Sequence, residues 1–147
     1  MWQLTIDAND PTRLAAFWAE ALDYEPQPPP EGHATWKAWY QWRGVPAEEL
    51  DDMGDDDCDR LQDPTGAGPR IWFQIVPETK PPGTKNRLHL DLYPAGREAP
   101  AAERRAAVQA KVAALLELGA TVLRRHEDEL STYVTLQDPE GNELCVS

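Results

Sequence analysis

Leu61-Gln62-Asp63-Pro64-Thr65-Gly66 returns as Leu136-Gln137-Asp138-Pro139-Glu140-Gly141, at a constant offset of 75 residues (138 − 63). Five of the six residues match. Asp followed by Pro favours entry into a turn, and a Gly near its end relieves the backbone that follows. Each copy reads as a strand end, a turn and another strand. A hairpin used twice, late in each half of the chain, points to two copies of one module.

Working outward from the first copy, strands are expected over 58–62 and 70–76, with an alternating strand over 2–7 before them. Asp10-Pro11 opens a helix, with Asp as N-cap and Pro at the first helical position. In that helix Leu14, Phe17, Trp18 and Leu22 form one buried stripe. Four prolines between Pro26 and Gly32 break regular structure. A short helix is expected over 35–44, capped by Thr35 and ended by Gly44, with Trp36, Trp39 and Tyr40 on one face. The same aromatics make a strand the competing reading there. An acidic, solvated loop occupies 48–59. Around the second copy, a strand is expected over 87–93 and a helix over 100–118, with Val108, Val112, Leu115 and Leu116 inward and Gly119 as its end. Strands over 121–125, 132–137 and 142–146 follow. The order is thus β-α-irregular-β-β, then β-α-β-β-β. The first module spans about 1–78, a Pro/Gly/Lys linker 79–86 and the second module 87–147.

The 147 residues suffice for one domain with a real core. The formal net charge of −12, from 26 acids and 14 bases, argues against nucleic acid or an anionic membrane as partner. Met1 leads directly into a strand-like segment with no signal peptide, and no apolar run approaches the roughly 20 residues that span a bilayer. With only Cys58 and Cys145 there is no disulfide framework, so a cytoplasmic setting is expected.

Sorting the strands by alternation gives each an aliphatic and a polar or aromatic face. Leu4 and Ile6 oppose Gln3, Thr5 and Asp7. Ile71, Phe73 and Ile75 oppose Trp72, Gln74 and Val76. Leu88, Leu90 and Leu92 oppose His89, Asp91 and Tyr93. Leu144 and Val146 oppose Glu143, Cys145 and Ser147. Helices cover the aliphatic faces from outside, and the polar faces are left to line a concave cleft. The fold class is therefore α+β: two paired βαβββ modules, their curved sheets around a shared cleft.

Several stretches carry a family resemblance. They are Ile6-Asp7-Ala8-Asn9-Asp10-Pro11 running into Leu14-Ala15-Ala16-Phe17-Trp18, Ala21-Leu22-Asp23-Tyr24-Glu25, Leu118-Gly119-Ala120-Thr121-Val122 and the closing Asp138-Pro139-Glu140-Gly141-Asn142-Glu143-Leu144. Over nearly its whole length the chain resembles glyoxalase-like proteins of the vicinal oxygen chelate superfamily, which includes glyoxalase I, extradiol dioxygenases and bleomycin-resistance proteins. The resemblance implies paired βαβββ modules and, in metal-using members, ligands on the first and last strands of each module. Carried over, the first-strand positions are Gln3 and His89. The last-strand positions are Cys145 and either Trp72 or Gln74. Both carboxylates of that pattern are missing and Trp cannot ligate, so a divalent metal is disfavoured and no cofactor is expected.

His89 is the candidate acid/base, against a plain histidine satisfied by Asp91, Tyr133 or water. Gln3, Gln74, Asp91 and Tyr133 are the ligand-orienting candidates. Trp72, Cys145, Trp36 and Trp39 are further ligand-contact candidates, with core packing the competing role for the tryptophans. His33 and His126 read as structural, and Cys145 as a small buried hydrophobe rather than a reactive thiol. The expected function is small-molecule binding, with lyase or isomerase proton transfer on a small oxygenated metabolite if catalysis occurs. The alternatives are a non-catalytic binder that sequesters a drug or metabolite, and an interaction module whose cleft is filled by its own side chains. The acidity would suit a cationic ligand. A homodimer is left open.

Overall fold

Gln3–Ala8 forms the first strand, β1, and Asp10 then starts a helix as the motif predicts: its side chain accepts a bond from the Arg13 N–H at 3.0 Å. The computed structural model describes residues 2–128 and 131–147; Met1, the expected lead into the first strand, lies outside them. Helix α1 (Pro11–Leu22) buries Leu14, Phe17 and Trp18, with Leu22 packed partly against the same core. It ends at Asp23, whose φ of 56° is left-handed, a conformation Asp tolerates better than most residues. Strand β2 (Glu25–Pro26), α2 (Trp36–Trp42), β3 (Arg60–Gln62) and β4 (Arg70–Ile75) complete the first half. The second half follows with β5 (Leu90–Leu92), α3 (Ala101–Glu117), β6 (Thr121–Glu127), β7 (Thr132–Gln137) and β8 (Glu143–Val146). The helical reading of 35–44 holds. Thr35 accepts a bond from Ala38 N–H at 3.0 Å and Gly44 takes φ of 86° beyond the helix.

The two halves have the same topology. One sheet runs β1-β4-β3-β2 and the other β5-β8-β7-β6. In each, the first strand lies parallel to the last, and the remaining pairs are antiparallel. The repeated turn is also the same. Gly66 N–H donates to Asp63 O and Gly141 N–H to Asp138 O, both at 3.0 Å, with φ of 73° and 86° at the two glycines. These positive angles explain why Gly closes both copies.

One hydrophobic core serves both sheets. Phe17, Trp18 and Leu14 of α1 join Val108, Val112 and Leu115 of α3, with Phe73, Leu61, Leu136 and Leu144 from the strands. Each such side chain contributes about 1.5–3 kcal/mol by leaving water. Polar ties cross between halves. Trp18 Nε1 donates to Asp138 Oδ2 at 3.0 Å, the Glu140 carboxylate accepts from the Asn9 and Asp10 N–H groups, and Lys111 donates to Asp23 at 2.8 Å.

The aliphatic faces depart from expectation at their ends. Leu88 is 85% exposed and precedes β5, which is shorter than the expected 87–93 because only Leu90–Leu92 pairs with β8. Ile75 is 72% exposed at the tip of β4, and Leu116 lies outside the buried stripe of α3. The strand expected over 58–62 begins only at Arg60. Glu143, assigned to the open polar face, is buried and paired with Lys85, which holds its carboxyl below the usual range. No helix among the described residues is long and apolar enough to cross a membrane.

Candidate functional site

The parallel ladders decide the alternative at the first-module position. Leu4 lies opposite Ile71 and Thr5 opposite Trp72, just as Leu90 lies opposite Leu144 and Asp91 opposite Cys145. Trp72 is therefore the counterpart of Cys145, and Gln74, opposite Asp7, lies two residues further along.

The polar face of the first sheet is covered on its β3–β4 side by the chain's own aromatics, while Gln3, Thr5 and Asp7 on β1 stay exposed. Arg60 and Trp72 are cross-strand neighbours. The Arg60 guanidinium sits 4.3 Å from the Trp36 ring centroid, 5.5 Å from that of Tyr40 and 5.4 Å from that of Trp72. It donates to Tyr40 Oη and to Asp59 Oδ1, each at 2.6 Å, and Asp59 Oδ2 accepts from Trp72 Nε1 and Tyr40 Oη, each at 2.9 Å. Trp36 is buried and its indole N–H donates to Gln27 O at 2.7 Å. Trp39 packs edge-on to Trp36 at 5.4 Å and stays partly exposed. Cation–π contacts of about 0.5–2 kcal/mol and a closed hydrogen-bond set make this a packed plug. Burial lifts the Tyr40 hydroxyl, and also the thiol of Cys58, which precedes Asp59 in sequence, above their ordinary values; a raised thiol is unreactive.

The second sheet presents its polar face differently. His89 stands just before β5, its side chain 44% exposed, with Nε2 3.3 Å from Asp91 Oδ1. Cys145 is half-buried, its Sγ 3.8 Å from Ser147 Oγ. Tyr133 stacks on His126 at 4.8 Å, and His126 pairs with Asp128 at 2.8 Å, so Tyr133 is not the partner of His89. His33 lies against Trp42 at 5.2 Å. Gln3 is exposed on β1, in the other sheet.

Two concavities accompany these faces. A cavity of about 320 Å³ at the end of the second sheet is lined by Tyr93, Arg97, Arg104, Arg105, Tyr133 and Ser147 among others. A second, also of about 320 Å³, lies between Asp7, Asn9, Lys80 and Glu140. Neither is lined by Gln3, His89 or Cys145. Of the sequence candidates, Tyr133 lines the first of these two cavities. Its arginines were missed, although Arg97, Arg104 and Arg105 cluster in a chain dominated by acids.

The match to known proteins follows this geometry. A model of the glyoxalase-like domain matches residues 3–147. The chain belongs to the glyoxalase-like domain family. Its fold is similar to a glyoxalase/bleomycin resistance protein/dioxygenase family enzyme from Burkholderia phytofirmans PsJN, at 15% identity and TM-score 0.55, covering 98% of this chain and 94% of that one. It is also similar to the fosfomycin resistance protein FosX from Listeria monocytogenes, at 9% identity and TM-score 0.54, covering 99% and 87%. TioX from Micromonospora sp. ML1 aligns at 11% identity and TM-score 0.50, covering 99% and 97%. No curated protein matches.

The superfamily's metal does not fit the residues found here. Trp72 stands at one ligand position with its N–H committed to Asp59, and among the described residues no three His, Cys, Asp or Glu side chains stand together as a ligand set. Gln3 and Cys145 lack the hard carboxylate partners that would balance a divalent charge.

Proposed function

We propose that this glyoxalase-like chain binds a small oxygenated molecule on the polar face of its second sheet and acts on it by proton transfer without a divalent metal. The asymmetry of the two faces carries the proposal. On the first, Trp36 and Tyr40 close over Arg60 beside Trp72, so packed aromatics occupy the place of Cys145; on the second, Cys145 and Tyr133 stay partly exposed beside exposed His89 and Asp91. His89 is the acid/base group: an imidazole can take up a proton and return it, and the Asp91 carboxylate 3.3 Å away orients the ring. In an isomerase step the ring removes a C–H proton beside a carbonyl and returns it to a neighbouring atom of the same molecule; in a lyase step the electron pair left behind expels a leaving group from the next carbon, and the proton goes to that group. Asp91 and Tyr133 orient the ligand on this sheet; Gln3 and Gln74 belong to the first sheet and stand outside this site.

A homodimer is part of the same proposal. β1 and β5 are outer strands with one unpaired edge each. Trp2 and Leu88, 68% and 85% exposed, stand at equivalent places just before them. A second copy covering these edges would enclose the open face; sedimentation of the wild type against Trp2→Ser tests it.

The decisive experiment follows C–H to C–D exchange of small hydroxy- and keto-compounds in D₂O by proton NMR, with EDTA present throughout. Exchange that survives EDTA and falls about 10²–10⁴-fold in His89→Ala supports the mechanism. Exchange abolished by EDTA, or indifferent to His89, refutes it. The second reading, a non-catalytic sequestering protein, is favoured by the openness around His89, since proton-transfer sites work best with water excluded. Saturable binding with no exchange in the dimer would establish it.

A further inference from the structure

The arginine-lined cavity is out of character with the rest of the chain. In a protein of net charge −12, three guanidinium groups line one space of about 320 Å³. Their partners do not account for them. Arg97 lies over the Tyr93 ring at 4.2 Å and donates to its hydroxyl at 3.0 Å. Arg105 pairs with Glu127 at 3.2 Å and donates to Asp128 O at 3.3 Å. Arg104 has its Nε buried without a hydrogen-bond partner, and among the described residues no carboxylate pairs with it. The cavity also meets the start of α3, where Pro100 as N-cap supplies no side-chain acceptor for the first N–H groups. Among the described residues Glu127 is the one carboxylate at ion-pair distance from these three guanidinium groups, and a buried unpaired guanidinium N–H costs free energy until an acceptor arrives.

Tyr93 and Ser147 tie this cavity to the proposed site. They follow Asp91 and Cys145 by two residues on the same strand faces, about 6–7 Å further along, and Ser147 N–H extends the ladder by donating to Leu92 O at 2.9 Å. The expectation of a cationic ligand, drawn from net charge, does not hold for this end of the face. A polyanion is disfavoured too, because the chain as a whole carries a net charge of −12. The volume is at the small end of ligand pockets, roughly 300–1,000 Å³.

We propose that this cavity binds the oxyanion of a small molecule, a carboxylate or a phosphoryl group, with Arg104 as its principal partner and Arg97 and the tyrosine hydroxyls at its margin. A guanidinium presents two parallel N–H donors that match such an oxyanion. The inference deepens the small-molecule reading by naming the ligand class, and rests on it only for the shared face.

The test is calorimetric titration of the full chain with inorganic phosphate, methylphosphonate, acetate and succinate at constant ionic strength, with tetramethylammonium as the cationic control. Saturable one-to-one binding of a phosphate or a carboxylate probe is expected. The series distinguishes the two oxyanions. Arg104→Ala should weaken it by about tenfold or more, Arg104→Lys by less, and Arg124→Ala on exposed β6 not at all, with melting curves confirming that each variant folds. No saturable binding by about 10 mM, tighter binding of the cation, or equal losses in the Arg104 and Arg124 variants would overturn the proposal. Arg104-dependent binding without any His89-dependent exchange would sink the catalytic reading alone and leave the oxyanion site standing.

Discussion

Asp63 and Asp138 occupy the same turn of the same motif, yet replacing them with alanine should have very different consequences. Asp138 Oδ1 accepts from the N–H groups of Glu140 and Asn142 at 3.0 and 2.8 Å. Its Oδ2 accepts from Trp18 Nε1 and Asn142 Nδ2, both at 3.0 Å. Asp138→Ala strands four donors, one of them the buried indole that ties the two halves. At about 1 kcal/mol net per bond the loss approaches 4 kcal/mol, and relief of the buried carboxylate's desolvation returns part of it, for a net of about 3 kcal/mol. With a urea slope of about 2 kcal/mol/M, the unfolding midpoint should fall by about 1.5 M. Asp138→Asn should lie between, because Asn Oδ1 keeps the two backbone donors while its amide confronts two other N–H groups. Asp63 bonds its own loop, through Thr65 and Gly68, and no residue of the other half among those described. Asp63→Ala should therefore move the midpoint much less. Equal shifts for the two alanine variants would refute the idea that Asp138 joins the halves.

The same pair should titrate in opposite directions when followed by carboxyl carbon NMR. Bonds from Thr65 and Gly68 hold Asp63 below its ordinary value, whereas burial raises Asp138 against the pull of its four donors. Asp138 then binds its proton more readily folded than unfolded, so its contribution to stability declines as pH rises from the ordinary Asp value through the raised one. Glu143 has the reverse sign: its pairing with Lys85 stabilises above the ordinary Glu value and is lost as pH falls through the depressed one, an effect Lys85→Met should abolish. Gly68→Ala should destabilise by about 1–3 kcal/mol in the same urea assay, because a Cβ there would stand 2.0 Å from Tyr24 Oη; Tyr24→Phe should rescue it in part, since Asp63 Oδ2 at 3.0 Å and Tyr24 Cζ at 3.1 Å remain, and no rescue at all would place the strain elsewhere.

Much of the architecture was legible because it rests on local chemistry. The Asp-Pro-x-Gly turns need Gly at a positive φ, Asp10-Pro11 starts a helix through its own side chain and ring, and Leu14, Phe17 and Trp18 recur at helical spacing. The repeat and its alternating faces were enough to specify two βαβββ modules. Strand ends were less legible: Leu88 and Ile75 continue an alternating pattern past the point where neighbouring strands pair, and pairing is not a property of one segment.

The site was read less completely. Alternation placed His89, Asp91 and Cys145 relative to one another, but it could not say that α2 would close over the first sheet or that Arg60 would find three aromatic rings there. Nor could it bring Arg97, Arg104 and Arg105 from a loop and a helix to the end of β5 and β8. The sequence by itself determined which residues turn, which alternate and which form a buried stripe, because those are short-range consequences of side-chain shape, backbone angle and burial. Tertiary structure alone decided that Trp72 is the counterpart of Cys145, that aromatics of α2 pack around Arg60 beside Trp72, and that cations gather in an acidic chain. Each of these depends on which distant segments meet, and charge and donor groups acquire their energies only from the partners they meet.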